Sequence, residues 1–474
     1  MLRGPVRLAV CFALSCSLIF AVAGPAAAQI SGGGGTGNGN GTGNGTNNGN
    51  AGNGAAAGVT VDADGLVKTI IVPGNKKLNK QRLAAVRKEL TEDLATFSPL
   101  RKVSLVRLEQ ACAEFAETQK HVTPDMQYLA GLQRIDYVFV FPESHDIVIA
   151  GPAEGFAEDG AGRTVGLTTG RPPLRLDDLM VSLRAVNRGD DVGCSIDARP
   201  ENLAKFKQYQ ASHSGAASAA VGKKRFSQMA KILGNQKVTI WGVPPDSHFA
   251  RTMVEADYFM KKISIGQLRL RVRGFKTHLS MVGPGDDMAN RWWFAPLYEP
   301  FQASDDGNAY KISGPRAQLF AENEIVTADG KRIGVGTKAA STDRYANHFT
   351  EKFPELADAV PAFAELQTLF DLLTVSALIE KQGLAERIGW SMSLFLDDQR
   401  GTVAKWNVPR DVPTSVAYKR TRGRMLIGMV GGGVMIDPRR TLAAVAIEPG
   451  DESLIEKQTA AEEAELPAGR WWWD

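Results

Sequence analysis

The sequence predicts an α+β fold of mixed strands and helices, in two packed subdomains that follow a signal peptide and a disordered Gly/Asn-rich linker. Three observations carry this expectation. Residues 137–141 (Tyr-Val-Phe-Val-Phe) are apolar on both faces of a period-2 pattern, as in a strand covered on two sides. Ser104 opens a stretch in which Leu105, Leu108, Cys112 and Phe115 share one helical side. Strand-like and helix-like blocks are interleaved without a regular βαβ rhythm, which favours α+β over a doubly wound sheet.

The chain opens with Arg3 and Arg7, an uncharged apolar run from Leu8 to Gly24, and Ala26 and Ala28 as small residues before Gln29. A positive end, an apolar core and an A-x-A site in that order read as a secretory signal peptide over 1–28. An uncleaved segment would instead be a short membrane anchor. Residues 29–58 are almost entirely Gly, Asn, Thr, Ser and Ala, which cannot offset the entropy of ordering a glycine-rich backbone. They read as a flexible tether. The protein is therefore expected to be exported, to the periplasm or the medium.

Composition bounds the rest. Apolar residues make up 43% of the chain, enough for a core. Formal charge is +3, and removal of Arg3 and Arg7 leaves +1. A near-neutral body has no global field to gather nucleic acid, so no nucleic-acid partner is expected. Beyond the leader only Cys112 and Cys194 remain. Both sit on apolar patterns and read as buried thiols, although an oxidising compartment permits a bond between them.

Along the body, Asp64-Gly65 between two β-rich runs is a hairpin signal. Asp62 and Asp64 suggest a calcium loop, but Leu66 occupies the third ligand position, so the turn is the better reading. Residues 78–94 form an amphipathic pattern. Two strands surround the Pro-Glu-Ser-His turn at 142–145. A helix follows, opened by Asp177 or Asp178. Val192–Ile196 reads as a strand, and Pro200 suits the first turn of the next helix. A polar, Ala- and Gly-rich stretch at 213–222 divides an N-terminal domain (59–222) from a C-terminal domain (236–448). The second opens with a strand, the Pro244-Pro245 turn and a helix capped by Asp246. A β-meander through Val335 is expected next, then helices broken at Pro354 and Pro361. Strands return from 390 to 436, and a polar tail covers 449–474.

The best chemical constellation lies on the helix after Pro245. Phe249, Met253, Ala256 and Met260 form its buried stripe, while His248, Arg251 and Glu255 share another face. A base, a cation and a carboxylate together could perform acid–base work or hold an anion. The simpler reading makes Arg251 and Glu255 an ordinary surface i,i+4 pair. Metal spacing is absent: there is no H-E-x-x-H and no paired C-x-x-C, and His121, His145, His213, His278 and His348 are scattered. No metal and no cofactor is expected. The glycine-rich run at 428–436 lacks phosphate-loop spacing and reads as a strand with a close backbone approach. Cys194, facing a core, is expected to be inert.

Trp292, Trp293 and Phe294 fit a strand buried on two sides better than a stacking platform. Trp471, Trp472 and Trp473 are too costly to leave exposed. They dock on the protein's own body, on an unknown envelope or extracellular partner, or on a membrane interface. Membrane contact is expected only through these three residues or an uncleaved leader.

Residues 131–156, 193–201 (GCSIDARPE), 242–261 (GVPPDSHFARTMVEADYFMK) and 291–299 (RWWFAPLYE) resemble an exported bacterial family known as domain of unknown function 1598. The resemblance runs from about Gly58 to the GGGV segment and covers neither the linker nor the final residues. It implies export and a shared fold, and no activity or site residue. The leading reading at this level is a non-catalytic envelope binding or assembly protein, supported by the tether, the terminal tryptophans and the missing catalytic signatures; the alternative is an extracytoplasmic hydrolase-like enzyme with a site around His248, Arg251 and Glu255. A concave pocket with desolvated polar groups would favour the second.

Overall fold

Residues 54–62, 64–73, 90–118, 122–159, 161–213, 218–283, 289–326, 332–334, 340–421, 424–462, 467 and 469–474 are described by a computed structural model. The expected signal peptide and most of the linker lie outside these residues. So do His121 and the helix expected over 78–94, apart from the short turn Glu92–Ala95.

The fold is α+β, built on two large sheets. One runs edge to edge through Arg332–Gly334, Arg316–Val326, Ala289–Leu297, Arg424–Ile436, Val192–Asp197, Asn235–Trp241 and Asp411–Pro413. Ala417–Thr421 adds to the long Arg424–Ile436 strand. The pairing is antiparallel except between Ala289–Leu297 and Arg424–Ile436. The other sheet runs Ile447–Pro449, Phe301–Ala303, Ala309–Lys311, Tyr137–Phe141, Asp146–Ala153, Ser98–Ser104 and Trp472–Trp473. Strands from 59–222 and from 236–448 thus occur in both sheets, and the two segments do not each close a sheet of their own. The meander expected through Val335 also divides: Phe301–Ala303 and Ala309–Lys311 join the second sheet.

Local signals account for most elements. Ser104 Oγ accepts from Arg107 N and caps Leu105–Glu117. Asp62 Oδ1 accepts from the backbone of Asp64 and Leu66 at 3.2 and 2.9 Å, and Gly65 takes a φ of 81°. This is an Asx turn in a hairpin, not a cation loop. Its first strand starts at Gly54, so the last residues assigned to the linker are paired. In the Arg424–Ile436 strand, Gly432 has a φ of 122°, and a Cβ there would strike the Trp292 carbonyl. Only glycine lets these neighbours approach.

Three expectations need correction. The N-cap position of Leu176–Arg188 is Arg175; Asp177 and Asp178 lie inside the first turn. The His248–Ser264 helix is capped by Ser247, not Asp246: its Oγ accepts from Ala250 N at 3.1 Å. Residues 390–398 form turns rather than a strand, held by the Glu109 carboxylate, which accepts from Leu394 N and Phe395 N. A further helix, Ala219–Leu233, precedes the Asn235–Trp241 strand.

The His248–Ser264 helix is the core of the molecule. All its residues except Arg251 and Lys262 are buried. It packs on Val192–Asp197, on Arg424–Ile436 and on the Pro361–Lys381 helix. The latter is the one helix among the described residues long and apolar enough to cross a membrane, and it is almost wholly buried inside the protein. Cys112 and Cys194 are free and buried, and burial pushes the Cys112 thiol up to about 12. His145 bonds the Ile388 carbonyl, His213 stacks on Tyr209, His278 packs edge-on against Trp292, and His348 accepts from Lys276 N.

The three terminal tryptophans dock on the protein itself. Trp472 and Trp473 pair with Val103 and Lys102, and Trp471, Trp472 and Trp473 are all buried. They are therefore not a free membrane-facing patch. Arg101, fully buried, stacks 4.5 Å from the Trp472 ring and bonds Asp474 at 2.7 Å. Trp472→Ala is expected to lower unfolding free energy by about 3–5 kcal/mol in urea titration, the cost of emptying a large aromatic site.

Candidate functional site

His248, Arg251 and Glu255 do share a face, and that face lines a concave pocket of about 100 Å³. The helix carrying them is buried all round, so the three are not an exposed surface stripe. The pocket wall continues through Arg163, Arg175, Glu365 and Trp406, and the Gly54–Pro73 hairpin covers one side with Gly58, Val59 and Ile70.

Each side chain is placed by a local device. Ser247 Oγ donates to the Pro244 carbonyl at 2.7 Å while capping the helix, which fixes His248 at its first position. Trp406 N donates to the Asp246 carbonyl at 2.7 Å and brings the indole edge-on to His248, with ring centroids 4.8 Å apart. Asp159 accepts from Ala161 N and Arg163 N, shaping the turn that projects Arg163. Glu365 stands near the start of the Pro361–Lys381 helix.

The partners overturn the surface-pair reading. Glu255 pairs with Arg163 Nη2 at 2.5 Å, and Arg251 Nη2 donates instead to the Val59 carbonyl at 2.8 Å. Arg163 Nη1 binds Glu365, so one guanidinium joins two carboxylates. Thr252 Oγ1 donates to Glu365 at 3.4 Å. On the other side, Asp178 Oδ2 accepts from His248 Nδ1 at 2.8 Å, which leaves Nε2 facing Glu365 Oε1 at 3.8 Å. Arg175 and Arg251 lie over the Trp406 ring at 5.1 and 5.3 Å.

Desolvation sets the protonation pattern. Burial pushes His248 down, yet the Asp178 carboxylate, aided by Glu365, carries it above its ordinary value. Burial would raise Glu365, but Arg163 and His248 hold it well below the usual carboxylate range. Glu255 goes the other way: burial raises it, the neighbouring Glu365 adds to this, and Arg163 offsets only part. Two carboxylates on one arginine are thus driven apart, one ionised and one inclined to hold a proton.

Sequence reading found three of these residues and missed Asp178, Arg163, Glu365, Arg175 and Trp406. Asp178 looked like a capping residue. Glu365 carried the one usable signal, a carboxylate in a helix apolar enough to be buried, which requires a partner. No group of His, Cys, Asp and Glu suited to a metal occurs among the described residues.

The linkage of these groups to stability follows from their shifts. A raised His248 binds its proton more tightly when folded, so its contribution is full below the unfolded value near 6.5 and is lost as pH rises through the folded one. A lowered Glu365 contributes above its unfolded value of 4.5 and loses this as pH falls. The stability difference between wild type and His248→Gln, from urea titrations across pH 5–9, is therefore expected to shrink as pH rises.

Residues 194–276 match the model of a family described as "Protein of unknown function (DUF1598)". The match contains the Cys194–Glu201 and Gly242–Lys261 segments; residues 131–156 and 291–299 lie outside it. No curated protein and no solved structure matches the chain. The matched segment includes His248, Arg251 and Glu255, and over it the chain is similar to this family of unknown function.

Proposed function

We propose that this is an extracytoplasmic hydrolase-like protein whose pocket at His248 performs acid–base chemistry on a bound polar group. The observation that carries this reading is the convergence of His248, held by Asp178, with Glu255 and Glu365 in one concave, desolvated site. Burial favours the protonated form of Glu255, while Arg163 and His248 hold Glu365 ionised beside the imidazole.

In this reading water is the nucleophile. Neither buried cysteine lines the pocket, and its hydroxyls are those of Tyr128, Thr164 and Thr252. Thr164 donates to Tyr128 at 2.8 Å, and Thr252 to Glu365. His248 Nε2, in its neutral form, takes a proton from attacking water, and Asp178 stabilises the imidazolium that results. Glu255, when protonated, returns a proton to the leaving group. Arg163 keeps Glu365 ionised beside the imidazole.

A binding or assembly role is the second reading; it rests on the tether and the missing catalytic signatures, since the terminal tryptophans are buried against the Ser98–Ser104 strand. Export rests on the leader and on the family resemblance. The mature protein is expected to begin at Gln29, and intact-mass measurement of secreted material checks this.

Catalysis can be checked with chromogenic acetate, phosphate and glycoside esters. His248→Gln and Glu255→Gln are expected to lower kcat about 10²–10⁴-fold on the substrate that turns over. Rates identical to wild type on every substrate would end the reading.

A further inference from the structure

We propose that the Arg175–Trp406–Arg251 wall of the pocket is a subsite for a carboxylate, and that it takes the carboxylate end of a ligand whose remainder lies outside. This deepens the hydrolase-like reading by naming the substrate class, and rests on the same pocket.

Size comes first. About 100 Å³ is well below the roughly 300–1,000 Å³ of a site that engulfs a drug-sized ligand. The pocket admits a terminal group of a few atoms. Charge comes second. Arg163 is consumed by Glu255 and Glu365. Arg175 is attracted by Asp178, Tyr128 and Asp177 but forms no pair as short as those of Arg163, and Arg251 lies farther still from a carboxylate partner. The carboxylate nearest Arg175 is Asp177, at 3.7 Å, and the hydrogen-bond partner of Arg251 is a main-chain carbonyl. Glu158, the remaining carboxylate of the lining, is exposed.

Spare donors come third. Arg175 is only 6% exposed, yet its Nε has no hydrogen-bond partner, and neither has Trp406 Nε1. Buried donors of this kind are costly unless something accepts from them. Arg175 and Arg251 lie over the Trp406 ring, which brings two positive charges beside the unpartnered Arg175 Nε and Trp406 Nε1. A planar carboxylate, with one charge and two acceptor oxygens, suits a guanidinium and an indole N–H side by side in so small a space.

Isothermal titration of the mature protein with acetate, N-acetyl-Ala-Ala, its C-terminal amide and inorganic phosphate tests this. The two carboxylates are expected to bind, with the amide and phosphate weaker by about tenfold or more. Tighter binding of the dipeptide points to a peptide end, and equal binding to a free small carboxylate. Arg251→Met, at a partly exposed position, is expected to weaken binding about tenfold, and Arg175→Met at least as much. Binding of the amide or phosphate as tight as that of the acids overturns the proposal, as does unchanged affinity in both variants or no carboxylate binding. The two readings fail separately. Carboxylate binding with turnover unaffected by His248→Gln removes the hydrolase and leaves the subsite. Turnover abolished by His248→Gln without carboxylate binding does the reverse.

Discussion

The site depends on one constraint: Arg163 must stand between Glu255 and Glu365 away from water. Taking each of these charges out of solvent costs several kcal/mol, and only mutual pairing offsets that. The three residues come from the turn after Phe156–Glu158, the His248–Ser264 helix and the Pro361–Lys381 helix. Withdrawing Arg163 would leave two buried carboxylates without their shared cation. The pairing therefore locks the relative position of three elements distant in sequence, and the pocket lies where they meet.

The two carboxylates are not equivalent, and the difference has a physical origin. Glu365 also faces His248, whose protonated ring adds a second positive neighbour. Glu255 has Arg163 for its ion partner and feels Glu365 as a like charge. His248 is itself contested. It opens a long helix, whose N-terminal dipole disfavours a cation, and burial opposes its charge as well. The Asp178 oxygen at 2.8 Å outweighs both.

Elements governed by local chemistry were legible in the sequence. The Asx turn at Asp62, the Ser104 cap and the two-faced strand at Tyr137–Phe141 each follow from neighbours within a few residues. Non-local pairing was not. Nothing in residues 467–474 says that Trp472 will lie beside Val103, and nothing near Cys194 says that Val434 will pair with it. The site divides in the same way. His248, Arg251 and Glu255 were visible because a helix places them together by its own period. Their partners arrive from other elements, and an i,i+4 spacing cannot distinguish an exposed pair from two residues with separate buried partners. The apolar character of Pro361–Lys381 was informative, since a carboxylate there has to be answered from outside the helix.

Buried ionic groups are poor stabilisers, because well-packed apolar residues of similar volume serve as well or better. The network around Arg163 therefore calls for a reason other than stability. Two other buried networks make the contrast. Asp371 accepts from Tyr298, Arg316 and Ile135 N, and Lys261 joins Asp257 to the carbonyls of Ile196 and Gly432. Both tie strands to a helix, and none of these residues lines the pocket at His248. The charges at His248 border space, stand beside the unpartnered Arg175 Nε and Trp406 Nε1, and include two carboxylates shifted in opposite directions. A network built only to fix helices would need none of those three features, whereas a site that binds a polar group and moves a proton needs all of them.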